Sequence, residues 1–181
     1  MKQNGFILIV SLIFLAIMTM LGIAMFRGIT MDEMMSGNQR EKSRSIDAAQ
    51  TTLNTAQNWL ANPVNTVLGG TLNPGVNCTA ATPQPAICTN VWTPTVLATP
   101  TSWPYFASSV PTGMTVNTAG GLNTYYSQPQ YYIQFLGFIP GSTNSAFYQV
   151  TAAAQGGNST ATAVVQTVYQ VTATSRDISG G

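Results

Sequence analysis

Apolar and polar positions divide this chain into three parts. From Phe6 to Phe26 it reads FILIVSLIFLAIMTMLGIAMF, twenty-one residues without a charge. At about 1.5 Å per residue such a helix reaches about 31 Å, enough to cross a bilayer core of roughly 30 Å. A different pattern follows the polar run that starts at Arg40. Ile46, Ala49, Leu53, Ala56 and Leu60 recur at steps of 3, 4, 3 and 4, which places them on one narrow face of a helix. Asn62-Pro63 ends that helix, because a residue before proline is pushed out of the α region. One helix from Phe6 to Ala61 would hold 56 residues and extend about 84 Å. Gly22, Gly28 and Gly37-Asn38 are its weak points, each glycine costing about 1 kcal/mol relative to alanine. The bland reading of its second half is an amphipathic helix that covers a sheet.

After Pro63 the composition turns to Thr, Asn, Gly, Pro and Ala. Residues 63–128 predict loops with short strands at Val91–Leu97 and Tyr105–Val110. Pro94, Pro100 and Pro104 confine these to edges or irregular positions. The last third alternates more clearly. Gln130–Phe138 is aromatic and β-branched, with Tyr131, Ile133 and Phe135 on one face. Ala146–Gln155 and Ala161–Ala173 flank Gly156-Gly157-Asn158, a glycine-bearing hairpin signal. In the last strand Val165, Thr167, Tyr169 and Val171 alternate with Val164, Gln166, Val168 and Gln170. Its two faces are nearly equal in polarity, so the pattern does not say which one meets the helix. An antiparallel sheet is the natural outcome.

The formal charge of +1 matters less than where the charges sit. Eight lie between Arg27 and Asp47, four of each sign, and none occurs in the 128 residues from Ala48 to Ser175. The chain has no histidine. General acid–base catalysis needs a titratable group held near the working pH, and this 128-residue stretch offers no histidine or carboxylate. Zinc and calcium sites need ligands of the same kinds. Phosphate backbones are held by Lys and Arg, so no nucleic acid is expected as a partner. An enzyme is not expected, nor a cofactor or a metal. At 181 residues there is room for one domain beyond the helix. Cys78 and Cys88 read either as two unpaired small residues or as a bridge. An anchor that leaves the head outside the cytoplasm favours the bridge, worth about 2–3 kcal/mol for so short a loop on the chain-entropy model.

The apolar stretch itself admits three readings. A secretory signal has an apolar region of only about 7–15 residues before a small-residue cleavage site, and this run is longer and leads instead into Arg27, Met31, Asp32 and Glu33. A plain membrane anchor fits the length. The third reading uses Lys2 and the Gly5-Phe6 junction, which resemble the leader of a type IV prepilin, cleaved on its cytoplasmic side.

Two further pieces extend that resemblance. After the apolar helix come Asp32-Glu33-Met34-Met35-Ser36-Gly37-Asn38-Gln39-Arg40 and then Asp47-Ala48-Ala49-Gln50. Near the C-terminus the order is YYIQFLG, FYQVTAAAQGGNST and AVVQTVYQV. Together these resemble the PilX-type minor pilins of type IV pilus assembly, over roughly the first 60 residues and again over about 130–173. Gln50 stands where the family usually has Glu, the strands lack its common charged residues, and 63–128 matches no known pattern.

The resemblance implies an α+β, pilin-like fold: a long N-terminal α-helix, transmembrane then amphipathic, packed on a small antiparallel β-sheet head. Its parts would be a leader (1–5), a transmembrane and filament-core helix (6–26), an amphipathic continuation (27–62) and an uncharged β-rich head (63–181). It implies cleavage between Gly5 and Phe6 by a prepilin peptidase, with N-methylation of Phe6. It implies residence in the inner membrane with the head in the periplasm, then in the pilus at the cell surface. The other partners would be further minor pilins, the major pilin and an adhesin at the tip.

One position bears on mechanism. Major pilins carry a glutamate where this chain has Val10, and that carboxylate pairs with the terminal ammonium of a neighbouring subunit. A lone buried charge costs several kcal/mol, so Val10 suits a first subunit with none above it. The reading is therefore a minor pilin that primes or caps assembly at or near the tip. The alternatives are a tip minor pseudopilin of a type II secretion system, or an uncleaved single-pass protein whose Thr/Asn-rich head binds a surface or a glycan.

Overall fold

The computed structural model describes residues 4–68, 70–78, 84–90, 106–121 and 123–173. Helix α1 spans Asn4–Ala61 and stops where Asn62-Pro63 requires it to stop. The Asn62 side chain then caps a four-residue helix, α2 (Pro63–Thr66), by accepting from the Val64 N–H at 3.1 Å. Proline at the first helical position suits this start, since its missing donor would have had no partner there. The chain divides into two compact units, Met1–Arg40 and Glu41–Gly181. The first is α1 alone up to Arg40; the second holds the rest of α1 and the sheet.

Within the second unit, β1 (Val67–Leu68) and β2 (Thr71–Leu72) form a minimal antiparallel ribbon. A mixed sheet follows, made of β3 (Ile87–Cys88), β4 (Phe106–Ala107), β7 (Gln130–Phe138), β8 (Ser145–Gln155) and β9 (Thr162–Thr172). Strands β5 (Thr115–Val116) and β6 (Thr124–Tyr125) pair with each other. Strand β7 lies between β8 on one side and the short β3 and β4 on the other, so β9 is an edge. The long pairs β7–β8 and β8–β9 are antiparallel. The β3–β7 pairing is parallel, a departure from a purely antiparallel sheet. No hairpin constrains it, and the long connection from Cys88 to Gln130 exceeds the dozen residues that a parallel crossover needs. Of the strand predicted at Tyr105–Val110, only Phe106–Ala107 forms, and Tyr105 lies outside the described residues. So does the whole of Val91–Leu97.

The register decides which sheet face meets the helix. Strand β8 buries Ala146, Tyr148, Val150 and Ala152, alternate residues that oppose Val171, Tyr169, Thr167 and Val165 of β9. On β7 the matching residues are Tyr131, Ile133 and Phe135. These form one core with Ala56 and Leu60 of α1, against which Leu53 also packs. A second cluster joins Ala48 and Ala49 to Tyr125, Ala154 and Ala163, with Ile46 packed against it. A bulge between Phe135 and Gly137 shifts the β7 register, and Phe138 then stacks edge-on to Phe135 at 5.1 Å. Inserting one residue is the usual way a strand re-aims a side chain.

Burial of this kind leaves each tyrosine hydroxyl in need of a partner. Tyr148 donates to the Asn73 carbonyl at 3.0 Å and Tyr132 to the Asn90 carbonyl at 2.7 Å. Desolvation raises the Tyr131 and Tyr132 hydroxyls above their ordinary pKa and pushes Tyr148 up to about 12.

Candidate functional site

Three regions of this chain hold its exposed apolar surface and its joints. The first is the N-terminal part of α1. From Phe6 to Phe26 every described large apolar side chain is exposed, and the helix is long and apolar enough to cross a membrane. Its two hydroxyls are satisfied locally: Ser11 donates to the Leu8 carbonyl at 2.9 Å and Thr19 to that of Ala16 at 2.8 Å. Such back-bonding leaves no side-chain donor facing hydrocarbon, where an unpaired polar group costs several kcal/mol. The Gly5-Phe6 bond lies inside the helix; Lys2 lies outside the described residues. Val10 shares a shallow groove along the helix with Phe6, Ile7, Phe14, Leu15 and Met18. Apart from the Ser11 hydroxyl its neighbours there are apolar, so a carboxylate would find no cation among them.

The second region is the joint between the head's helix and its sheet. Ala49, Ala56 and Leu60 are fully buried, and Ile46 and Leu53 are half-buried against the same clusters. The small side chains of Ala49 and Ala56, both fully buried, let the helix approach the strands closely. Above this apolar stripe sits a polar lock. The Glu41 carboxylate accepts from the Gly157 N–H and pairs with Arg44 at 3.0 Å. The Arg44 guanidinium also donates to the Thr124 carbonyl at 2.7 Å and lies 5.0 Å from the Tyr125 ring centroid. Lys42 donates to the Thr162 carbonyl. Three side chains on one helical turn thus hold the β8–β9 turn, the start of β9 and β6.

Gly156 and Gly157 make that contact possible. A Cβ at Gly156 would lie 2.6 Å from the Glu41 backbone oxygen, and one at Gly157 would lie 2.7 Å from Oε2 of Glu41. The glycine pair therefore serves close approach as well as the turn itself. Sequence reasoning found the hairpin but not the lock. The charges of Arg40 to Arg44 were visible, but their partners lie about eighty or more residues away.

The third region is the disulfide. Cys78 and Cys88 are bonded, with Cα atoms 5.4 Å apart, inside the usual range. Both are buried in a cluster with Tyr132 and Ala153, on the sheet face opposite the helix. The Asn90 side chain clamps the loop by accepting from the Cys78 N–H and donating to its carbonyl, both at 2.9 Å. Gly75 admits the chain beside it: φ is +89°, and a Cβ there would lie 2.4 Å from the Ile87 oxygen.

A long apolar-then-amphipathic helix seated on a small mixed sheet defines a pilin-like protein. Two family models match, the PilX N-terminal model over residues 4–54 and the model described as type IV pilus assembly protein PilX C-term over residues 46–171. The chain belongs to the PilX family of type IV pilus assembly proteins. The second match includes 63–128, the stretch in which the sequence showed no familiar pattern. No curated protein and no solved structure matches the chain. The family is one of structural pilus components, not of enzymes.

Proposed function

We propose that this chain is a minor pilin that primes or caps a type IV pilus at or near its tip. The observation that carries this reading is Val10, an aliphatic residue in the apolar helix of a PilX family member. A subunit repeated along a shaft needs a carboxylate there to neutralise the ammonium of the chain before it. A first subunit has no such neighbour, and without a carboxylate it avoids a buried unpaired charge.

The rest of the proposal follows the chain. Residues 1–5 are a leader removed by a prepilin peptidase between Gly5 and Phe6, and the Phe6 amine is then methylated. Residues 6–26 hold the protein in the inner membrane and later pack in the filament core. Residues 27–62 continue the helix into the head, and 63–181 face the periplasm and then the exterior. The partners are the other minor pilins, the major pilin and an adhesin presented at the tip. Intact mass and N-terminal sequence of protein extracted from membranes test this reading. A chain beginning at methylated Phe6 is expected, whereas a mature chain beginning at Met1 would make it a plain anchored protein.

A further inference from the structure

Among the described residues, nothing pairs with the outer edge of β9 along most of its length. Gly156 donates to the Ala161 carbonyl and Ala173 to that of Asn144, so the odd-numbered residues of this strand bond to β8. In an antiparallel ladder alternate residues turn their N–H and C=O away from the partner. Those of Val164, Gln166, Val168, Gln170 and Thr172 therefore face outward, and they meet no partner among the described residues. Only the first outward carbonyl, that of Thr162, is taken, by Lys42. Natural edges are blunted by charge, proline, bulges or covering chain. Strand β9 has no charge or proline and pairs with β8 without a register shift. Val168 is 57% exposed.

We propose that this edge receives an extended strand of a different protein, antiparallel to β9 and spanning Val164 to Thr172. The added strand is uncharged where it faces the sheet, because no Asp, Glu, Lys or Arg occurs between Ala48 and Ser175 to pair with one. It ends in a carboxylate beside Lys42, whose exposed ammonium stands at the Thr162 end. A second copy does not fit. In a parallel ladder a bonded residue lies opposite a non-bonded one, so a closed two-copy pairing would have to be antiparallel. The seated helix runs alongside β9, with Lys42 at the Thr162 end and Ala61 near Val171 and Thr172. Antiparallel copies would send their Lys42 ends, which lead in sequence to the apolar stretch, in opposite directions. Two chains anchored in one membrane cannot do that. This exclusion rests on the anchored reading above; the open edge does not.

The test uses the purified full-length chain in detergent. The probe is a fluorescent peptide of eleven alternating threonine and valine residues, two glycines and a free carboxylate. Antiparallel pairing sets its uncharged residues opposite Val164 to Thr172 and its carboxylate beside Lys42. Saturable binding is expected, weakened several-fold by amidating the peptide's C-terminus in a salt-sensitive way. Val168→Lys should weaken binding about tenfold or more and leave the melting temperature unchanged, since its amide faces away from β8. No binding, or equal binding by Val168→Lys, would overturn the proposal. So would a wild-type dimer that this variant converts to monomer. None of these results depends on where the mature chain begins.

Discussion

Glu41 and Gly157, 116 positions apart, are joined by a hydrogen bond from the glycine N–H to the carboxylate. The bond ties the helix that enters the head to the turn between its two longest strands. Gly156 beside it sits so close to the helix that a methyl group has no room. Gly156→Ala must push against backbone and is expected to lower stability by about 1–3 kcal/mol. Glu41→Ala frees the Gly157 donor and strips Arg44 of its ion pair, at a similar cost of about 1–3 kcal/mol. Thermal unfolding of the two variants and of the pair checks this. Because they act on one contact, the double variant should lose less than the sum.

The apolar seat makes a graded prediction. Leu60 is fully buried while Leu53 packs at the margin of the same core. Leu60→Ala should cost about 2–5 kcal/mol, and Leu53→Ala clearly less. Leu53→Asp would press a carboxylate into apolar surroundings, and the head should then be degraded in cells. Denaturant melts and pulse proteolysis read both effects. Equal losses at Leu53 and Leu60 would show that the margin is no margin.

Much of this joint was legible in the sequence, and the reasons are physical. The steps of 3 and 4 from Ile46 to Leu60 had only one helical face to occupy, and Asn62-Pro63 permitted no continuation. Strand β9 was legible as a strand but not by face, since Val165 and Val168 are equally apolar. Its orientation is settled by β8, whose Ala146, Tyr148 and Ala152 face the helix in register with it. The parallel β3–β7 pair was invisible because two residues, Ile87 and Cys88, carry no periodicity. The lock of Glu41, Lys42 and Arg44 was invisible for another reason. Its hydrogen-bond partners across the joint are backbone atoms, which every residue possesses, so nothing in the sequence marks them.

The disulfide makes a third prediction. Cys88→Ser opens the loop that covers Tyr132 and should cost about 2–3 kcal/mol. The loop is local and lies on the face away from the helix, so membrane insertion should be unaffected. Peptide mapping without reductant should recover Cys78 and Cys88 as one linked pair from the native host. Two alkylated thiols would show that the bond does not form there.

Tyr148 sets an alkaline limit. Its hydroxyl is raised to about 12 by burial, from an ordinary value of about 10. The folded chain then holds this proton after the unfolded chain has lost it. Stability is full below about pH 10 and falls as pH rises from there towards 12. Tyr148→Phe should weaken that fall while lowering stability at neutral pH, because the Asn73 carbonyl loses its donor. Denaturant melts between pH 8 and 11.5 measure both effects.

Val10 carries the account's central claim, and counting subunits tests it most directly. Gold labelling of sheared pili, joined to quantitative mass spectrometry against the major subunit, gives position and copy number together. A tip subunit predicts label at one end and at most a few copies per filament. Val10→Glu should then allow some label to appear within the shaft. Label along the whole shaft in the wild type, at a copy number near that of the major subunit, would contradict the account.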